Sequence, residues 1–372
     1  MGFSSENNSK ELGRFKNKKQ RNFIRFLLFI KPNLYICEMK YFRFLLFPFG
    51  IIYFTITSVR NFLYDKGFLK SYTAPIPVIA VGNLSVGGTG KTPQIEYLIR
   101  LLSDKYRVAT LSRGYKRKTE GFVLANTTTT VTDIGDEPFQ YFSKFKNIQV
   151  AVDADRTRGI KNLLHQNSAP QVILLDDAYQ HRKVKAHFYI LLTTYSDLYC
   201  NDFILPVGNL RESTSGANRA QVIVVTKCPK GLTSEEQSRI IRKINPKNHQ
   251  KVFFSTIGYD EKIYSKDASL EVNDILNRKK VLLAGIAKPE PFFDHLKNPQ
   301  DTVLRYPDHH NFSEAELEQL RSKYQDELII TTEKDFVRLD SLAQTNQLFY
   351  LPIKTEFLHS EEEFNRIILG SI

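Results

Sequence analysis

The chain has 372 residues, 42% apolar and 25% charged, enough to bury one large core or two moderate ones and too apolar for a disordered chain. Its net charge of +12 invites a nucleic-acid reading, but residues 1–38 carry +5 and residues 39–70 carry +4, so no basic groove across the fold is implied. Three scattered cysteines, Cys37, Cys200 and Cys228, form neither a metal knuckle nor a disulfide framework and fit a reducing compartment, the cytoplasm.

Residues 1–38 are polar, basic and interrupted. They read as a disordered extension, or as sequence ahead of a true start at Met39. The next segment is different in kind. From Phe44 to Val59 run 16 residues without a charge, bracketed by Arg43 and Arg60. At ~1.5 Å per residue this run is shorter than the ~30 Å hydrocarbon core of a bilayer, and Pro48 and Gly50 interrupt it. Two readings fit: a helix lying on a membrane surface, its Lys and Arg drawn to anionic lipid, or a helix packing its apolar face on the core. No small-residue cleavage site follows, which argues against a signal peptide.

"APIPVIAVGN" (Ala74 to Asn83) is a Val- and Ile-rich run predicting a buried parallel strand. It enters "SVGGTGKTP", and beyond it Ile95, Leu98, Ile99 and Leu102 recur at helical spacing. Strand, glycine turn and helix in this order make a phosphate-binding loop. Gly87, Gly88 and Gly90 let backbone N–H groups curl round an anion, with Ser85, Val86 and Thr89 completing the loop. Lys91 reaches the outer phosphates and Thr92 can ligate Mg2+. Ser85 stands where the pattern has its first glycine, and Pro93 follows Thr92 in the helix's first turn, where its missing donor costs nothing.

Further strands are predicted at Arg107–Tyr115, 147–153, 171–177, 187–194 and 221–227, separated by helices or loops, which points to a parallel α/β sheet. The run "QVILLDD" ends in Asp176 and Asp177, two carboxylates at a strand's C-terminal edge, where a magnesium shell needs them. A guanine reader would carry an acid at the end of "TKCP" (Thr226 to Pro229). Pro229 stands there instead, which favours ATP over GTP. Past about residue 260 the alternation restarts, predicting a smaller α/β lobe. Within it Ser313 and Glu316 form a capping box that opens a helix after "DHHNF".

Taken together, "GNLSVGGTGKTP", "SRGYKRK" (Ser112 to Lys118), "GDEP" (Gly135 to Pro138), "DDAYQHR" (Asp176 to Arg182), "LPVGNLRES" (Leu205 to Ser213), "TKCP" and "DHHNF" (Asp308 to Phe312) resemble, in order, the tetraacyldisaccharide 4'-kinase family. The resemblance runs from Met39 to the C-terminus. "DDAYQHR" departs from it at Ala178 and Tyr179, where the family more often has Gly and Phe; both acids are intact.

The resemblance implies a P-loop NTPase-like parallel-sheet domain (71–260), a smaller C-terminal α/β lobe (261–372) and an N-terminal membrane-associating helix (39–70). It implies ATP-dependent phosphorylation, with Mg2+, of the 4'-hydroxyl of a tetraacyldisaccharide 1-phosphate at the cytoplasmic face of the inner membrane, with no nucleic acid and no protein partner. By the same resemblance Asp136 is the base, supported by His309, and Lys91 serves catalysis. His181 and Arg211 fall on the nucleotide side, Thr92, Asp176, Asp177 and Glu212 on the metal, and Asn83, Arg113 and Lys116 on the acceptor. Arg113, Lys116 and Arg117 read equally as a solvated charge run. The alternative functions are a P-loop ATPase driving a membrane assembly or transport step without a lipid acceptor, and a nucleotide-dependent binding module that would not need Asp136.

Overall fold

The structure, a computed structural model, describes residues 43–308, 310, 312–339 and 347–372. His309 and the 1–38 extension lie outside the described residues. Two sheets carry the fold. The larger is built from β1 (Val78–Asn83), β2 (Val108–Ser112), β3 (Val123–Leu124), β4 (Gln149–Val152), β5 (Val172–Asp176), β6 (Phe188–Thr194), β7 (Val222–Thr226), β8 (Lys251–Tyr259) and β15 (Ile353–Phe357). Their order is β15-β8-β7-β6-β1-β5-β2-β4-β3. All neighbours are parallel except the edge pairs β3–β4 and β15–β8. The inner strands are unbroken apolar runs because both faces are buried.

The smaller sheet has the order β10-β9-β14-β13-β11-β12, with β9 (Lys262–Tyr264), β10 (Ser269–Glu271), β11 (Lys280–Ala284), β12 (Thr302–Arg305), β13 (Leu328–Thr332) and β14 (Leu348–Leu351). It has its own apolar core around Phe292, Phe293, Leu282 and Ile330. The chain's end departs from the sequence expectation. Residues 353–372, expected in the smaller lobe, return to the larger one: β15 pairs with β8, and the helix Glu361–Leu369 buries Phe364 and Ile368 in the larger core. The cause is aromatic packing, since Phe357 and Phe364, 4.4 Å apart, meet Tyr97 and Phe253 at ring distances of 5.2 to 6.1 Å.

Among the helices, α1 is Phe47–Asp65, α2 is Lys91–Leu102, α3 is Asp136–Lys144, α4 is Arg156–Leu164 and α5 is Glu333–Arg338. The first is docked by a narrow stripe at i, i+3, i+7 and i+11. Gly50 and Thr57 are buried, the Tyr53 hydroxyl donates to the Arg211 carbonyl at 3.0 Å, and Asn61 Nδ2 donates to Glu212 at 2.6 Å. The rest of its apolar surface faces outward: Phe47, Phe49, Ile51, Ile52, Phe54, Ile56, Val59 and Phe62 are all exposed, as are Phe68 and the Phe44–Phe203 pair, whose rings lie 5.9 Å apart. Core packing, one of the two sequence readings, is therefore not what this segment does. No helix among the described residues is long and apolar enough to cross a membrane.

Candidate active site

β1 runs straight into the glycine-rich loop, and α2 starts at Lys91 behind Gly90, whose φ of +86° is a left-handed conformation that suits glycine. The loop is pinned from β7: the Thr226 hydroxyl donates to the Thr89 carbonyl at 2.8 Å, and the Lys227 ammonium to the Gly88 carbonyl at 2.6 Å. The Lys91 ammonium lies 3.5 Å from Asp177 and 3.4 Å from the Asn83 carbonyl oxygen of the side chain. Ser85 is buried, whereas Val86 is exposed.

β5 sits next to β1 with Val81 opposite Asp176, so the strand-end acids stand beside the loop. The two acids differ. Burial pushes the Asp176 carboxyl up to about 7, helped by the charge of Glu137 and opposed by Lys91. Its Oδ2 accepts from the Tyr141 hydroxyl at 3.2 Å, and its Oδ1 is buried without a partner. Asp177 is only partly buried, its side chain 35% exposed, and Lys91 and Arg211 outweigh its desolvation and hold its carboxyl below the usual range; Arg211 Nη1 lies 3.1 Å from both its oxygens.

A divalent cation fits beside Asp176. The orphaned Oδ1 is a ready oxygen donor, and the Thr92 hydroxyl, 3.3 Å from Glu137 Oε1, closes the same corner. Among the described residues no three His, Cys, Asp or Glu side chains converge. Mg2+ needs no such cage, since it is held by one or two carboxylates with phosphate oxygens and water completing the shell. Glu137, one residue past the expected base, was not anticipated from the sequence as part of this corner.

Two expected assignments are corrected. Glu212 is not placed to bind metal: it is fully buried, with Oε1 taken by Arg219 at 2.7 Å and Gln180 at 3.2 Å and Oε2 by Asn61. It ties α1 to the sheet. Asn83, expected on the acceptor, is fully buried and acts on the loop instead, its Nδ2 donating to the Ser85 carbonyl at 2.5 Å.

A cavity of about 640 Å³ lies over the "SRGYKRK" loop, and beside it a larger one of about 890 Å³ opens on Lys91, Asp136, Glu137, Asp176 and Asp177. Arg113 and Lys116 line both. The larger one is also lined by Tyr53, Thr57 and Arg60 of α1, by His181, Arg156 and Arg211, and by Lys334 and Arg338 of the smaller lobe. Burial, reinforced by Arg156, brings the His181 imidazole down to about 4, so it is neutral at pH 7; its Nε2 is buried and unpartnered. Arg156 is itself buried and lowered to about 10 by that burial, and so remains charged.

Asp136 opens α3 and is 62% exposed at its side chain. It is brought to the cavity by a close backbone approach. Gly135 has φ of +89°, and a Cβ there would lie 2.8 Å from the Tyr115 carbonyl oxygen. "GDEP" and "SRGYKRK" thus meet at a contact only glycine allows. In "DHHNF", His310 Nε2 lies 3.0 Å from Glu316 and its ring packs between Tyr306 and Phe312. The Ser313–Glu316 capping box is formed as expected.

A family model described as tetraacyldisaccharide-1-P 4'-kinase matches residues 42–372. A protein of Flavobacterium johnsoniae named tetraacyldisaccharide 4'-kinase is 61% identical over 334 residues, covering 90% of this chain and 98% of its own length. One of the same name from Bacteroides thetaiotaomicron is 42% identical over 351 residues, covering 88% and 92%. Among solved structures, LpxK from Aquifex aeolicus, crystallised in complex with ATP, superimposes with a TM-score of 0.73 at 31% identity, covering 89% of this chain and 99% of that one.

Proposed function

The chain belongs to the tetraacyldisaccharide 4'-kinase family, and from that premise we propose which of its residues carry the reaction. It is an ATP-dependent kinase of lipid A biosynthesis, phosphorylating the 4'-hydroxyl of tetraacyldisaccharide 1-phosphate to give lipid IVA. The observation that carries the residue-level reading is one continuous cavity reaching from Lys91 and Asp136 to Tyr53, Thr57 and Arg60 on the outward-apolar helix. A phosphate donor site and a lipid-facing surface share a wall.

In this reading the 85–92 loop cradles the nucleotide phosphates, and Lys91 carries charge to the β- and γ-groups. Asp176 and Thr92 would hold Mg2+, which would supply charge neutralisation there. Asp136 takes the proton from the sugar 4'-hydroxyl as its oxygen bonds the γ-phosphorus, and the bond to the β-phosphate oxygen breaks to release ADP. His309 is assigned to support it. Arg113 and Lys116 face the acceptor's anionic end, and neutral His181 serves as a hydrogen-bonding group. The kinase lobe spans 71–260 with the returning segment 353–372, and 261–352 forms the smaller lobe.

The acyl chains fix the location. Withdrawing each CH₂ from lipid costs ~0.8 kcal/mol, so the enzyme goes to its substrate. The exposed apolar face of α1 is read as lying in the cytoplasmic face of the inner membrane. No nucleic acid and no protein partner enters this scheme. The test is transfer of labelled γ-phosphate from ATP to the disaccharide lipid in mixed micelles. Label in the lipid is the expected result, whereas phosphate released with the lipid unlabelled would favour an ATPase that drives a membrane step.

A further inference from the structure

Helix α5 belongs to the smaller lobe, yet Glu333, Lys334 and Arg338 on it reach the larger one. Glu333 receives the Lys144 ammonium at 3.1 and 3.3 Å, and the same ammonium donates at 2.7 Å to Glu96 on α2. This buried bridge docks α5 against the P-loop helix. One turn apart on α5, Lys334 and Arg338 line the cavity shared by Lys91 and Asp136. Arg338 Nη2 lies 3.6 Å from Asp136 Oδ2.

The guanidinium is also held from behind. Its Nη1 lies 3.5 Å from Asp335 Oδ1. Asp335 is fully buried, its Oδ2 accepting from the Gly285 N–H at 2.8 Å and the Thr332 hydroxyl at 2.7 Å. A fixed carboxylate of one lobe therefore tethers an arginine that is aimed at an exposed carboxylate of the other. Among the described residues, the Asp136 side chain has no hydrogen bond and no other ion pair.

We infer that Arg338 is a positioning residue for Asp136, crossing from the smaller lobe to hold the carboxylate in the orientation that receives the acceptor's proton. The inference rests on the reading of Asp136 as the base. At 3.6 Å the contact is a charge contact and not a hydrogen bond, so the carboxylate's lone pairs stay free to accept the hydroxyl proton. Charge attraction limits where the carboxylate points without occupying it. The base is then complete only when the lobes are docked, which couples the Lys144 bridge to the chemistry.

Single-turnover transfer of labelled phosphate by the full chain tests this. Arg338→Ala should lower the rate about ten- to hundredfold with the KM for ATP little changed, and free guanidinium ion should restore part of it. Arg338→Lys, whose ammonium cannot span both carboxylates, should lose rate without losing thermal stability, which keeps the test open if the alanine variant fails to fold. Arg338→Ala added to Asp136→Asn should slow that variant no further, because the arginine acts through the carboxylate. Fully multiplicative losses, or a raised KM for ATP as the main effect, would mean that Arg338 binds phosphate itself and would overturn the inference. Should Asp136→Asn be slow while Arg338→Ala is not, only the inference fails. Should Asp136→Asn keep the wild-type rate, the base reading fails first.

Discussion

Replacing Lys144 with Met removes the cation that joins buried carboxylates of the two lobes. Its ammonium lies 2.7 Å from Glu96 and 3.1 Å from Glu333, whose side chains are 1% and 9% exposed. Removing one partner of a buried pair costs about 3–5 kcal/mol. Glu96 keeps Arg100 at 3.0 Å and Gln140 at 2.8 Å, so the low end, about 3 kcal/mol, is expected at pH 8. The cost depends on pH through Glu333. Burial first, then the charge of Glu96, pushes its carboxyl from an ordinary 4.5 up to about 7, with Lys144 pulling the other way. Because this folded-state value is raised, the stability contributed by protonated Glu333 is complete below about pH 4.5 and is lost as pH rises through about 7. At pH 6 Glu333 is largely neutral and needs Lys144 less. Urea midpoints at pH 6 and pH 8 should therefore show Lys144→Met more damaging at pH 8, and adding Glu333→Gln should recover most of that loss. Destabilisation under about 1 kcal/mol at pH 8, or a larger loss at pH 6, would refute the buried bridge.

Lys91→Ala should cut turnover by about 3–4 kcal/mol in the barrier, read as kcat with labelled ATP; a loss under tenfold would remove Lys91 from the phosphates. Gly135→Ala forces a Cβ to within 2.8 Å of the Tyr115 carbonyl oxygen at a φ of +89°, and it should depress kcat through displacement of Asp136 while ATP affinity, measured by calorimetry, stays near normal. Glu at Phe49, Ile52 and Ile56 together should abolish sedimentation with anionic vesicles and leave ATP binding intact. Unchanged sedimentation would move the membrane contact elsewhere.

The parts of the site that were legible are those made by contiguous chain. Strand, glycine turn and helix follow one another within 78–102, and Asp176 ends, and Asp177 directly follows, a strand whose apolar run is unmistakable. Contacts made across the fold were not. Glu212 was read with Arg211 because the two are adjacent, but neighbouring side chains turn to different sides: Arg211 faces Asp177, and Glu212 faces Arg219 and Asn61 in the interior. Glu137, though inside "GDEP", and Arg338 could not be given a role from the sequence, since their meaning lies in the partners that the sheet and the second lobe bring to them.

The first helix is the instructive case, because composition left it open between core and membrane. What decides it is the polarity of the docked stripe. Gly50, Tyr53, Thr57 and Asn61 are all small or polar, and these turn toward the protein, where Tyr53 and Asn61 find hydrogen-bond acceptors. The Phe and Ile positions turn outward. A helix of a water-soluble surface has the reverse arrangement, with its apolar stripe against the core. Exposing this much apolar surface to water is unfavourable in proportion to its area, which is the physical argument for the membrane-surface reading proposed above. The same helix supplies Tyr53, Thr57 and Arg60 to the cavity wall, and an acceptor anchored in that membrane would therefore reach Asp136 along the surface that holds the enzyme to it.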